Sequence, residues 1–318
     1  MAQATKIQQF ASNRLTPSLI QFSKGYRLSP ERFQTTIKRS TSISGFGFWS
    51  GLDVHVEFRP APAGHGIVFV RRDLPGMPCI PAQVENRIEG PRRTTLSCRG
   101  CNVEMVEHVL AALAGLQIDN CQIWIDRAEM PGLDGSSQEI VNALVAVGIQ
   151  RLPGRRQNLR IETAIRVGDE DAWISAEPAN GDDCVLRYEL NYSGEPAIGR
   201  QTCTAKMGTH DFASAIAPAR TFVTLNEAES LRREGLARRV SYSDLLVFNH
   251  QGVMQNTLRY ENECARHKLL DLIGDLSLAG CDLIGNISAY RSGHRLNAEL
   301  VRQLLATHAQ FNPLKRSA

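Results

Sequence analysis

No run of about 18 apolar residues, the length a membrane-crossing helix needs, occurs in the sequence, so none is expected. Aromatic residues make up only 6% of the chain and the net charge is +3; with no basic tract interleaved with aromatics, nucleic acid is not an expected partner. Residues 1–30 contain no Asp or Glu and no secretory apolar core. A partly disordered N-terminal extension over 1–32 is expected there, with an organelle transit peptide as the alternative. Eight cysteines are scattered, and the one C-x-x-C, Cys98 and Cys101, has no second pair to complete a zinc finger. No thioredoxin-like strand–helix–strand pattern surrounds it either. Neither a disulfide framework nor a redox motif is expected; reduced thiols and a cytoplasmic setting are.

What is present suits an ordinary globular chain, because 42% hydrophobic and 22% charged residues build a core under a polar surface. A length of 318 residues allows two domains. Strand-like alternation marks Phe33–Ile37, Val54–Phe58 and Gly66–Val70, followed by a helical pattern from Glu104 to Gln117, a strand at Cys121–Ile125 and a helix at Ile140–Val147. Arg151–Arg156, with Pro153 and Gly154, reads as a linker. Strands then recur over Leu159–Val167, Trp173–Glu177 and Val185–Tyr192, followed by helices over 223–236 and from Glu263 to near Gly280, a strand at Leu283–Tyr290 and a helix at Ala298–Ala309. The two halves share an order, so the expected fold class is α+β with two similar domains, 33–152 and 157–312. Each is a small β-sheet with helices on one face, the two packed helix layer to helix layer.

The helix beginning at Glu263 presents two faces. Leu269, Leu272, Ile273 and Leu276 recur at core spacing, while His267, Asp271, Gly274 and Asp275 share another side. A His and an Asp four apart can hold one metal ion between them; a solvated polar face is the other reading of the same spacing. In the first half His108 caps a stripe of small residues, Ala111, Ala112 and Gly115, that another element could approach closely. Should the helices meet, His108, His267 and Asp271 form a His/His/Asp set that suits zinc, with three protein ligands and an open position. Glu107 could then serve as general base and His294 as acid or electrostatic stabiliser, with Asp275 orienting it. Arg266, Lys268, Arg291 and Arg295 bracket this site, either as solvated charges or as a phosphate-binding rim.

These residues also carry a resemblance. Val106-Glu107-His108 through Leu116 and Ile118-Asp119-Asn120, Pro131 to Ser136, Ala219-Arg220-Thr221-Phe222, Arg266-His267-Lys268 through Leu276, and Ser292-Gly293-His294 occur in order over roughly residues 33 to 311. Together they resemble the motifs of UDP-3-O-acyl-N-acetylglucosamine deacetylases, the zinc amidases of lipid A biosynthesis. The resemblance implies zinc (Zn2+) on His108, His267 and Asp271, with Glu107 as base and His294 backed by Asp275. It implies Thr221 as donor to the oxyanion, Lys268 near the substrate diphosphate and Phe222 beside the nucleotide-sugar. It also implies a UDP-3-O-acyl-N-acetylglucosamine-type substrate whose acyl chain could bring a monomeric enzyme into transient contact with the inner membrane surface. Departures from the family pattern are Trp49 where a His is common, Ala172 where a Lys is common, and Arg239-Val240 in place of two glycines. They leave open a different acyl chain or N-acetylated sugar, and a non-catalytic relative is a further alternative.

Overall fold

The computed structural model describes residues 32–208 and 212–311. The extension expected over 1–32 lies outside them except for Arg32, as does residue 312, the expected end of the second domain. Two sheets organise the described chain. The first holds, side by side, Thr41–Phe46, Asp53–Pro60, Cys121–Ile125, Ile67–Arg71 and Cys79–Pro81. Along the second of these strands Val54, Val56 and Phe58 are buried and their neighbours are not, the period of two that a one-sided sheet imposes. All neighbours pair antiparallel except Cys121–Ile125 with Ile67–Arg71, which run parallel. Parallel neighbours need a long crossover, and helix α1 (Glu107–Gly115) lies in that connection. Helix α2 (Gln138–Val147) follows the sheet.

The second sheet repeats this plan. Ile165–Gly168, Trp173–Glu177, Asp282–Tyr290, Cys184–Tyr192 and Gly199–Lys206 lie in the same relative order, and Asn158–Arg160 adds a parallel partner to the central strand. Along the five-strand path, again only Asp282–Tyr290, the strand that follows a crossover helix, runs parallel to its neighbour Cys184–Tyr192. Here the connection carries helix α3 (Leu225–Arg233) and helix α4 (Glu263–Leu276), and helix α5 (His294–Phe311) closes the described chain. Each half inserts a small three-stranded sheet before its crossover helix: Arg87–Ile88, Thr95–Cys98 and Cys101–Glu104 in the first, Phe222–Thr224, Leu246–Asn249 and Gly252–Val253 in the second. Among the described residues no helix is long and apolar enough to cross a membrane.

Helices α1 and α4 pack directly on each other, and Gly274 is the reason they can. A Cβ at that position would stand 2.1 Å from the Glu107 carbonyl oxygen. Ala111 and Ala112 on α1 are fully buried as well, so the small-residue stripe is an internal surface. On α4 the stripe Leu269, Leu272, Ile273 and Leu276 is buried, each side chain contributing about 2 kcal/mol of hydrophobic stabilisation. The opposite stripe is buried too, including His267, Asp271 and Asp275, which rules out the solvated-face reading.

Other expectations require correction. Arg151–Arg156 is not a linker: Ile149–Arg155 is a strand paired antiparallel with Phe33–Ile37. Arg151 and Arg155 lie over the Phe33 ring at 4.1 and 3.7 Å, and Pro153 falls within the register shift, where its missing N–H costs no ladder bond. The helix expected from Glu104 begins at Glu107, because Met105 turns the chain with a φ of 58° between strand Cys101–Glu104 and α1. Cys98 and Cys101 face each other across a two-residue hairpin whose loop, Arg99 and Gly100, has φ of 50° and 76°, the left-handed pair such a turn needs. The C-x-x-C is therefore a turn.

Candidate metal centre

His108 comes from the first turn of α1, and His267 and Asp271 come from consecutive turns of α4. Their ligand atoms all lie within 4.8 Å of one another. The two imidazole rings stand edge to face, centroids 5.0 Å apart, and each Nε2 is 3.5 Å from Asp271 Oδ1. His267 Nδ1–H donates to the Ala219 carbonyl at 3.1 Å, which fixes the ring and leaves Nε2 as the free lone pair. Two imidazoles and a carboxylate converging on one point fit a divalent ion.

The Ala219 carbonyl is itself anchored. Arg220, its neighbour in sequence, is buried and makes a two-pronged pair with fully buried Glu263, the first residue of α4 and one turn ahead of His267. Removing either partner would strand a buried charge, at a cost of about 3 kcal/mol or more. The Ala-Arg-Thr-Phe motif thus serves the metal site through its first two residues. Gly135 serves it through the third, since a Cβ there would stand 2.9 Å from Thr221 Cγ2, and its carbonyl accepts the Thr221 N–H at 2.8 Å.

Around the donor set lies a cavity of about 530 Å3. Glu107, Thr221, Phe222, Lys268, Arg291 and His294 all line it, as do the three donors. Phe222 stands edge-on to His267, ring centroids 6.4 Å apart. Asp275, the remaining expected site residue, lies behind the wall and is fully buried; its Oδ2 takes the His294 Nδ1–H at 2.8 Å. His294 Nε2 is 4.0 Å from Glu107 Oε1. Lys268 Nζ donates to Asp271 Oδ2 at 2.7 Å, so it touches the donor set as well as the cavity. Trp49, Ala172 and Val240, the points of departure from the family pattern, line the same cavity.

Charge states follow from these neighbours. Burial pushes the His267 pKa down to about 3, so the ring is neutral at pH 7, as a metal ligand must be. Burial opposes the Asp271 charge, but Lys268 and the flanking imidazoles outweigh it and hold the carboxyl well below its usual range. The Lys268 ammonium is likewise disfavoured by burial and raised overall by Asp271. Burial works against a charged His294, yet Asp275 and then Glu107 raise it to about 9, leaving an imidazolium at neutral pH. Burial pushes Glu107 upward, partly countered by His294 and His108. The site therefore sets a carboxyl of raised pKa against a cationic imidazole, beside two imidazoles and a carboxylate that could hold a metal.

Sequence reasoning missed several supports. Thr94, Asn297 and the Ala219 carbonyl all touch site residues, and none announces itself by residue type. Asn297 alone left a signal, lying three residues beyond His294 in the first turn of α5, where it donates to Asp275 Oδ2 at 2.8 Å.

A family model described as UDP-3-O-acyl N-acetylglycosamine deacetylase matches residues 34–306. Among similar proteins, the UDP-3-O-acyl-N-acetylglucosamine deacetylase of Myxococcus xanthus is 38% identical over 276 residues, 86% of this chain and 86% of the relative. That of Nostoc sp. is 39% identical over 278 residues, covering 86% of this chain and 98% of the relative. That of Shewanella woodyi is 39% identical over 276 residues, 86% of this chain and 90% of the relative.

Proposed function

This chain belongs to the UDP-3-O-acyl N-acetylglycosamine deacetylase family, and from that premise we propose that it is a zinc-dependent hydrolase. Its reaction releases acetate from a UDP-3-O-acyl-N-acetylglucosamine and leaves the free amine, in lipid A biosynthesis. The observation that supports the metal assignment best is the convergence of His108, His267 and Asp271 within 4.8 Å, next to Glu107 and His294.

Zinc, when held by these three residues, supplies a Lewis acid that brings the pKa of a water to about 7. Glu107, buried and raised in pKa, takes the proton from the attacking water; its Oε2 is held by the Thr94 N–H at 2.9 Å, so Oε1 is the reacting oxygen. The Thr221 hydroxyl, on the cavity wall, donates to the oxyanion that forms at the acetamide carbon. His294 enters as the imidazolium, steadies that negative charge and passes its Nε2 proton to the departing amine, while Asp275 keeps the ring oriented through Nδ1. Lys268 has three N–H donors and spends one on Asp271, leaving others for a substrate phosphate, with Arg291 as a second cation at the wall. Phe222 packs against the nucleotide-sugar.

The two halves act as two domains of one plan, 33–152 and 157–312, with the site between them and the strand Ile149–Arg155 crossing the boundary. The enzyme works in the cytoplasm as a monomer and touches the inner membrane surface transiently through its substrate's acyl chain. A second reading, the same hydrolysis with a different acyl length, is favoured by Trp49 and Val240 standing in the cavity wall. Acetate release by zinc-loaded protein from a panel of UDP-3-O-acyl-N-acetylglucosamines of graded chain length separates the two. Release from at least one member is expected, and cleavage of none would sink the deacetylase reading.

A further inference from the structure

Thr94 belongs to none of the motifs above, yet it is fully buried between the catalytic groups of both halves. It leads into strand Thr95–Cys98 of the inserted sheet in the first half. Its carbonyl accepts the Val106 N–H at 3.3 Å, just ahead of α1. Its own N–H donates to Glu107 Oε2 at 2.9 Å. Its hydroxyl crosses to the second half and donates to Asp275 Oδ1 at 2.5 Å. The other oxygen of Asp275 holds His294 Nδ1 at 2.8 Å, and His294 Nε2 returns to within 4.0 Å of Glu107 Oε1. Glu107, Thr94, Asp275 and His294 thus form a chain of three hydrogen bonds whose ends approach to 4.0 Å, with Thr94 as the residue that touches both the base and the carboxylate behind the acid.

We propose that Thr94 is a positioning residue that sets the spacing and orientation of the base Glu107 relative to the acid His294. The proposal rests on the deacetylase reading for the names of those roles, and on geometry alone for the linkage. A buried carboxylate needs its hydrogen bonds, and Asp275 has three visible donors: Thr94, His294 and Asn297. Removing the Thr94 hydroxyl takes away the one that comes from the opposite half. Asp275 and His294 are then free to shift with α4 and α5, while Glu107 stays with α1. A proton relay that depends on both groups meeting one substrate loses rate, whereas substrate contacts elsewhere in the cavity are untouched.

Thr94→Val and Thr94→Ser, compared in the zinc-loaded full chain, test this. Thr94→Val should lower kcat by roughly 10- to 100-fold with KM within about twofold, as loss of a supporting partner does, and Thr94→Ser should stay within about threefold of the parent. A second readout needs no substrate: the His294 imidazole titration followed by NMR. The charged groups facing His294 are Asp275 and Asp271 on α4 and Glu107 on α1. With one donor gone, Asp275 holds the His294 proton harder, so the titration should move upward in Thr94→Val and not in Thr94→Ser. Unchanged kcat and unchanged titration in Thr94→Val overturn the proposal, as does a Thr94→Ser variant as impaired as Thr94→Val. Should Thr94→Val not fold, Thr94→Ala takes its place with the same expected outcomes. A parent enzyme that releases no acetate counts against the deacetylase reading, while the His294 titration still decides the role of Thr94.

Discussion

Glu107 and His294 stand 4.0 Å apart, and both pKa values are raised, by different routes. Burial raises the carboxyl, and Asp275 overrides burial to raise the imidazole. On the proposed mechanism the working form has Glu107 deprotonated and His294 protonated. Activity should therefore rise with pH through the raised pKa of Glu107, above the usual carboxylate range, and fall as pH passes about 9, where His294 loses its proton. A pH–rate profile of the parent should be bell-shaped, and His294→Gln should lack the descending limb near 9; a profile with that limb intact in the variant would place the basic group elsewhere. Glu107→Gln keeps the size of the side chain and loses the base. It should lower kcat by roughly 10^2- to 10^4-fold while metal content stays at the parental level, measured by acetate release and elemental analysis.

At the scale of elements, the site is the meeting of α1 and α4. Gly274 permits it, since any side chain there meets the Glu107 carbonyl at 2.1 Å. Gly274→Ala should force the helices apart, cost about 1–3 kcal/mol in thermal unfolding and reduce metal retention; a variant with parental melting temperature and metal content would mean the helices tolerate separation. Much of this was legible beforehand. The two stripes of α4 and the small residues of α1 follow from the 3.6-residue period, which depends only on local sequence. Strand Gly199–Lys206 and the inserted hairpin Thr95–Glu104 carry no such signal, because polar strands such as these owe their state to partners distant in sequence. Ile149–Arg155 departs from expectation for the same reason: Pro153 and Gly154 look like a linker until Phe33 and its strand supply the pairing. Supports such as Thr94 and the Ala219 carbonyl act through hydrogen bonds to residues distant in sequence, which leave no periodic trace.

For the whole molecule, two sheets of one order imply one plan used twice, with the donors divided between the copies. Besides the packing of α1 on α4, a cluster of charges links the two halves. Arg32 forks onto Asp119 at 2.7 Å and onto Asp282 at 2.8 and 2.9 Å, and Arg156 reaches both carboxylates at 3.2 Å. Asp119 precedes the central strand of the first sheet and Asp282 opens that of the second, so the cluster joins equivalent points of the repeat. Asp119 is buried, and Asp119→Ala should cost about 3 kcal/mol in chemical denaturation with the metal still bound in the folded protein. A loss under about 0.5 kcal/mol, the scale of an exposed ion pair, would show the cluster to be decorative. Whether a zinc ion joins the halves at His108, His267 and Asp271 can be read by anomalous diffraction at the zinc edge from crystals of the parent protein. One peak is expected, at full occupancy and within about 2.0–2.2 Å of a nitrogen of each imidazole and an oxygen of Asp271. A peak away from these three side chains, or none after zinc loading, would contradict it.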